Sequence, residues 1–544
     1  MKIRISGNGK KSIKALLEEQ GVSLYAPCGG RGTCGMCVVT VLSGSCPPSE
    51  TDRDMLREED ISRGMRLACM TFPTGEITVE TVDEAKPVIL TDYETATSPS
   101  ADPDAKISSP APASHSGLSG QMPPENNHIC VGIDIGTTTV VLAVLGSDGH
   151  PSFTRSFLNP LRRYGADVVS LIEAASGGKL GEMRDLLRNE IESELRNLAK
   201  HTSPDRAGKI SSDITESNPA GGVQMCVAVA GNTVMTHIFM GWVTSGLGTF
   251  PFKPHTLSFS ETTLCGFTAY VFPGISAFVG GDIVAGIYGL DLINGQTGDM
   301  LMDLGTNGEI VLKTDNGLIA SSASAGPALE GAHISCGTGC VEGAVTGITL
   351  ENLRPVLTVA GAQVTAPASN KGLAGACGSA ILELTDELLR TGILRSDGSY
   401  VESYADEGFA FGTDRNGRVL ALTQADVREL QLAKGAVNTA ALMLCEKGGV
   451  DPRDLNISLA GGMGSGLRPE RIKRTGIIPA CASVHAVGNS VLCGLMKFLG
   501  AVSDPQEKNT AVKVLSDLAA GVVVYDLALD KNFEERFLKS LSFG

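Results

Sequence analysis

The chain has 544 residues, of which 42% are hydrophobic and 19% charged, a composition of globular packing rather than of a disordered polymer or a membrane bundle. Single cores stop growing near about 250–300 residues, so several domains are expected. A net charge of −16 repels nucleic-acid phosphates over most directions of approach, and no apolar run reaches the roughly 18–20 residues that cross a bilayer.

The opening stretch, Met1 to Ser12, is polar and lacks the apolar region of a signal peptide, so the expected compartment is the cytoplasm and the expected partners are proteins or small molecules. From Lys2 to Ser6 apolar side chains alternate, Ile13, Leu16 and Leu17 follow at helical spacing, and a closing strand is predicted around Glu76 to Val82. That order fits a small β-grasp domain over residues 1–85. Residues 86–127 change to Ser, Pro, Ala and Asp, with almost nothing large and apolar between Ser98 and Gln121, which predicts a flexible linker.

Order resumes at Ile129 with VGIDIGTTTVVLAVL, read as two strands joined by a tight Gly-Thr turn. Met183, Leu186, Leu187, Ile191, Leu195 and Leu198 share one face of a predicted helix. From Val223 onward, apolar strands alternate with helical patterns and glycines gather where strand meets helix, the grammar of an α/β architecture. The division expected is a middle domain over 128–222, carrying the first phosphate motif, and a larger body over 223–544. Ile133-Asp134-Ile135-Gly136-Thr137-Thr138 is echoed by Met302-Asp303-Leu304-Gly305-Thr306-Asn307, which suggests two related halves.

The 14 cysteines sit in a long chain with no export signal, which favours metal ligation or free thiols over disulfides. Cys28, Cys34, Cys37 and Cys69 give C-x5-C-x2-C and a distant fourth thiol, the set that a [2Fe-2S] cluster requires. Gly29, Gly30, Gly32 and Gly35 let backbone N–H groups approach the sulfides. A zinc site seldom needs so many glycines, and a thioredoxin-like pair at Cys34 and Cys37 leaves the other two unexplained. Cys46 falls outside the pattern and is taken as a free thiol. Cys130, Cys226, Cys265, Cys377, Cys445, Cys481 and Cys493 stand singly and are read as buried small hydrophobes. The charged stretch Glu50 to Asp60 reads as a solvated helix, with a docking face for a redox partner as the alternative. The loop resembles β-grasp ferredoxins, closer in spacing to the adrenodoxin-like than to the plant-type form.

Two Asp-x-Gly-Thr turns suit phosphate binding, with Asp134 and Asp303 placed to hold Mg²⁺ through water. Together with Leu459-Ala460-Gly461-Gly462-Met463-Gly464-Ser465-Gly466 they resemble the three-part signature of the actin, heat-shock-protein and sugar-kinase superfamily, in which the third loop packs on adenosine. The fold expected is therefore multi-domain, α+β and α/β: a [2Fe-2S] ferredoxin, a linker and an actin-like, ribonuclease H-like ASKHA body with two lobes.

The stretches RRYGADVVSLI (162–172), AGNTVMTHIFMG (230–241), FVGGDIVAGI (278–287), MDLGTNGEIVL (302–312), SAGPALEGAHISCG (324–337), GACGSAILELTDELLRTGI (375–393) and ISLAGGMGSGL (457–467) extend the likeness to nearly the full length. The chain resembles the ATP-dependent reductive activators of corrinoid proteins, with Leu161 and Leu171 departing toward apolar residues and Gly464 to Gly466 replacing a Phe-Gly type loop. The resemblance implies reduction of an inactive Co(II) corrinoid to the Co(I) nucleophile of a methyltransferase system, electrons arriving at the cluster from an upstream donor. ATP would drive a transfer that a gap of a few hundred mV opposes by several kcal/mol, about 59 mV per tenfold for one electron.

The nucleotide shell expected is Asp134, Gly136, Thr137, Thr138, Asp303, Gly305, Thr306, Asn307, Gly461, Gly462 and Gly464, with Asp282 and Glu330 orienting the attacking water. His237 and His333 could approach a corrinoid but read better as structural residues. A homodimer is compatible with the sequence. Two other classes fit it less well: an ATP-driven activator of a different low-potential enzyme, and an ASKHA kinase or redox sensor with an appended ferredoxin.

Overall fold

The computed structural model describes residues 1–81, 128–201, 224–361, 370–461 and 467–544, apart from 23, 25–29, 33, 34, 36, 166, 306, 332 and 416. The expected linker and the expected site residues Cys28, Cys34, Thr306, Gly462 and Gly464 lie outside the described residues.

The first 81 residues build one four-stranded antiparallel sheet from β1 (Lys2–Ser6), β2 (Val38–Ser43), β3 (Met65–Leu67) and β4 (Glu76–Glu80), in the order β1-β4-β2-β3. Alternation turns Ile3, Ile5, Ile77 and Val79 to one face, where they pack on Ile13 and Leu17 of the helix Ile13–Glu19. Ser12 caps that helix by accepting from the Ala15 N–H at 3.3 Å. The charged stretch forms two short helices, Glu50–Met55 and Glu58–Ser62, and one of its acids points inward. Asp52 is fully buried and accepts from the N–H of Leu67 at 2.6 Å, the N–H of Ser49 at 2.7 Å and the hydroxyl of Thr71 at 3.2 Å. A buried carboxylate with that many donors is a structural tie.

A second sheet joins β5 (His128–Ile135), β6 (Thr139–Leu145), β7 (Pro151–Leu158), β8 (Gln224–Gly231), β9 (Ser260–Leu264) and β10 (Phe267–Val271) in the order β7-β6-β5-β8-β10-β9. It crosses the division expected between residues 222 and 223, because the apolar strand β8 pairs with β5 along its whole length. The predicted amphipathic helix runs from Leu180 to His201 and seats Met183, Leu187, Ile191 and Leu195 on the outer face of this sheet. Leu161 and Leu171, the two apolar departures, are fully buried in the same core.

The third sheet is built from β11 (Asp299–Leu304), β12 (Gly308–Thr314) and β13 (Gly317–Ala323). Next along the chain come β14 (Ala344–Glu351), β15 (Arg354–Val359) and β16 (Gly375–Ala376), which form a small sheet, and the hairpin of β17 (Phe409–Thr413) and β18 (Val419–Leu422). The strands β19 (Asn456–Ala460), β20 (Ser483–Gly488) and β21 (Val523–Val524) complete the third sheet in the order β20-β19-β11-β12-β13-β21. Read from β7 and from β13, the two large sheets share one plan: three antiparallel strands, then parallel strands beside the first. The motif echo in the sequence is thus an echo of architecture.

The helices Gly281–Gly289 and Ser490–Ala501 lie between these sheets, in a core that Ala228 and Ala230 share with Leu301, Val311 and Ala320. Gly289 and Gly494 let the two backbones touch: a Cβ on Gly494 would fall inside the carbonyl of Ala285, and one on Gly289 would sit 2.5 Å from the Gly494 nitrogen. Among the described residues no helix is long and apolar enough to cross a membrane.

Candidate functional site

Both Asp-bearing turns end their first strand and face the gap between the large sheets. At the first, the Gly136 N–H donates to Thr139 O at 3.0 Å, and a Cβ on Gly136 would sit 2.7 Å from that same oxygen. Asn159 braces the turn, its amide donating to Gly136 O at 2.8 Å and its backbone N–H to Thr138 O at 2.9 Å. Asn232, at the start of the helix Thr233–Met240, donates to Thr137 Oγ1 at 3.0 Å while its own side-chain oxygen caps the helix. Asp134 accepts from the Asn489 amide at 2.7 Å, and Asn489 in turn caps the helix Ser490–Ala501.

At the second turn the Gly305 N–H donates to Asn307 O at 2.9 Å. Asp303 pairs across the ladder with Glu309 and lies beside Ala460, the last residue of β19. Gly461 follows with φ +95°, and a Cβ there would stand 2.5 Å from Asp303 Oδ1 and 2.6 Å from Leu304 O. Only glycine allows the third loop to leave β19 this close to the second turn. Glu330 reaches the first turn, accepting from Thr138 Oγ1 at 3.4 Å, and the Gly305 backbone passes close to its Oε1.

Asp134, Asp282, Asp303, Glu309 and Glu330 are thereby gathered, each keeping a small face toward solvent. Burial pushes Asp303 up to about 8, and the charges of Asp282, Asp134 and Glu330 add to it. Burial likewise raises Asp134 to about 7, against the opposing Asn489 amide, and Asp282 to about 6. Glu309 is raised well above its ordinary range by burial and then by Asp282 and Asp303, although the Ser322 hydroxyl donates to it at 3.0 Å. Carboxylates crowded in a poorly solvated cleft favour a bound cation or retained protons.

Sequence reasoning missed Glu309, Asn159, Asn232 and Asn489. The three asparagines carried a signal, since each stands immediately before a helical segment as a capping residue. Glu309 carried one too: its place on β12 directly opposite Asp303 follows from the tight turn between the strands. His237 is structural, as expected; its Nε2 accepts from the His255 N–H at 3.1 Å and its Nδ1 lies 2.7 Å from Thr233 O, and burial lowers its pKa. His333 is exposed, with φ +64°.

In the N-terminal domain Cys37 and Cys69 are both buried, and the Ala68 N–H donates to Cys37 O at 2.8 Å. Gly30, Gly32 and Gly35 hold φ values of +87°, +76° and +67°. A Cβ on Gly30 would lie 3.7 Å from that of Cys69, so Gly30 stands close to the distant fourth cysteine. These residues fit an iron-sulfur cluster by donor type and by the backbone conformation around them. Arg31, inside the cysteine loop, donates to Ser170 Oγ at 2.8 Å.

Three family models match in succession: the 2Fe-2S iron-sulfur cluster binding domain over residues 2–74, the RACo middle region over 129–294, and the C-terminal domain of RACo, the ASKHA domain, over 298–544. The corrinoid activation enzyme RamQ of Eubacterium limosum is 27% identical over 447 residues, 76% of this chain and 70% of that protein. A protein of Methanosarcina barkeri named [Co(II) methylated amine-specific corrinoid protein] reductase is 24% identical over 311 residues, 53% of this chain and 54% of that one. A solved reductive activator for corrinoid, iron-sulfur protein superposes with a TM-score of 0.63 at 21% identity, covering 98% of this chain and 96% of that one. With the ferredoxin, middle and ASKHA domains present in that order, the chain belongs to the RACo family.

Proposed function

We propose that the protein is an ATP-dependent reductive activator of a corrinoid protein in a methyltransferase system, returning an inactive Co(II) corrinoid to Co(I). The observation that carries this reading is the gathering of two related Asp-bearing turns at one cleft, the second of them abutted by Gly461, in a chain that also buries Cys37 and Cys69. The names of RamQ and of the Methanosarcina reductase support the corrinoid partner.

Cys28, Cys34, Cys37 and Cys69 are the proposed cluster ligands, and a bound [2Fe-2S] cluster supplies one-electron transfer. Asp134 and Asp303 would hold the nucleotide's Mg²⁺ through water, offsetting the burial and the neighbouring charges that raise both their pKa values. Gly136, Thr137, Thr138, Gly305, Thr306 and Asn307 grip phosphates with backbone N–H groups and short hydroxyls or amides. Gly461, Gly462 and Gly464 form the adenosine wall. Asp282 and Glu330, from opposite sides of the cleft, orient the attacking water. Nucleotide-dependent closure makes the uphill transfer proceed by favouring one state of the partner over the other. An upstream protein supplies the electrons, and the chemistry belongs in the cytoplasm.

The test is anaerobic. The purified protein is mixed with a corrinoid protein and a reductant, and Co(I) absorbance is followed with and without ATP. Appearance of Co(I) only with ATP supports the proposal, and Asp303→Ala should abolish it while leaving the cluster spectrum intact. ATP turnover indifferent to every corrinoid protein offered would overturn it.

A further inference from the structure

Cys130 and Cys226 were read from sequence as isolated buried hydrophobes, yet neither is isolated and both are half-buried. They are direct partners in the parallel ladder of β5 and β8, which keeps register from His128↔Gln224 to Ile135↔Gly231 without a bulge. Registered side chains on neighbouring strands leave the sheet on the same face, about 4.7–4.9 Å apart at their backbones. Disulfides are found with Cα separations of roughly 4.4–6.8 Å, so the backbone spacing of this pair lies within the range that a disulfide spans.

Both residues are third in their strands. Cys265, Cys377 and Cys445 are by contrast buried. Lys508 stands 5.5 Å from the centre of the Tyr270 ring, on the face of the sheet that Cys226 shares, and its charge works against the neighbouring Cys130 and the burial that together raise the Cys226 thiol. The nearness of the two thiols lowers the pKa of Cys130 and raises that of Cys226. Two thiols held in register on neighbouring strands can attack and resolve in turn.

We propose that Cys130 and Cys226 form a redox-active dithiol, a site of reversible oxidation by disulfide oxidants of the glutathione class. The Cys130 thiolate attacks one sulfur of oxidised glutathione and releases one glutathione thiolate. Cys226 then gives up its proton to that thiolate and displaces the second glutathione from Cys130. Two protein thiols become one disulfide, and one glutathione disulfide becomes two glutathione thiols. The site is separate from nucleotide turnover and stands whether or not the corrinoid reading holds.

The full-length protein, kept anaerobic, is equilibrated across a series of oxidised-to-reduced glutathione ratios, alkylated and mapped by mass spectrometry. The expected product is a peptide pair joined through Cys130 and Cys226, two hydrogens lighter than the reduced pair and separated by dithiothreitol. In Cys226→Ser the expected product is a stable glutathione adduct on Cys130, because nothing remains to displace it. Phenylarsine oxide should shield both thiols from alkylation in the parent protein and shield Cys130 in the serine variant poorly. Alkylation of both cysteines at every ratio, or adducts on the half-buried Cys481 forming before any Cys130–Cys226 link, would overturn the proposal.

Discussion

Replacing Gly461 by alanine tests the geometry of the cleft most sharply. The added methyl would stand 2.5 Å from Asp303 Oδ1, 2.6 Å from Leu304 O and 3.0 Å from the Leu304 carbonyl carbon. Relief requires the end of β19 to retreat from β11 by roughly 0.5–1 Å, and a misplacement of that size costs on the order of 100-fold in rate when it moves a reacting group. The backbone adds strain of its own, since φ +95° is costly for any L-residue, about 1–2 kcal/mol. We therefore expect Gly461→Ala to lose about 2–4 kcal/mol of stability and about 100-fold in ATP hydrolysis, with iron content unchanged. Gly500→Ala is the control: nothing lies within 4 Å of its Cβ, and its helical position predicts a gain of about 0.5–1 kcal/mol. Phosphate release measures the first effect and thermal denaturation the second. A Gly461→Ala protein hydrolysing ATP within about threefold of the parent would refute the claim that the third loop must abut Asp303.

The raised carboxyls give a pH signature. A carboxyl whose folded pKa exceeds its unfolded value makes the fold most stable below the unfolded range, near about 4, and loses that contribution as pH rises through the folded pKa. For Asp303 the window closes at about 8, so calorimetry of the nucleotide-free protein should show Asp303→Asn gaining on the parent from pH 4 to 8, and a constant difference would contradict the site's electrostatics. Asn489→Ala removes the 2.7 Å donor to Asp134 and should weaken nucleotide binding about tenfold by titration calorimetry, a loss of about 1.4 kcal/mol. Cys69→Ser should abolish the cluster's visible absorbance while ATP hydrolysis persists, and parallel loss of both would argue against independent modules.

What the sequence disclosed was whatever depends on local chemistry. Asp134 and Asp303 stood out because each precedes a Gly-Thr turn at a strand end, and the structure brings them to one cleft; Cys37 and Cys69 stood out by thiol spacing, and both are buried. The amphipathic helix bearing Met183 and Leu195 was legible through its period. The extent of the first lobe was not, because the partnership of β5 with β8 joins residues nearly a hundred positions apart and no local pattern records it. The same blindness hid Asn489, whose contact with Asp134 spans 355 residues. It hid the Cys130–Cys226 pair as well. Asp52 was missed for a different reason: a charged run reads as solvated, and only the fold reveals that Leu67, Ser49 and Thr71 supply donors.

The crossing of the helices Gly281–Gly289 and Ser490–Ala501 bears on how such a molecule moves. Where Gly289 and Gly494 meet, main chain rests on main chain with almost no side chain in between. Rotating one helix on the other there would disturb few rotamers and open little void, leaving the hydrophobic masses on either side intact. Larger residues at that crossing would force the two backbones apart and put side chains in the way of any such rotation.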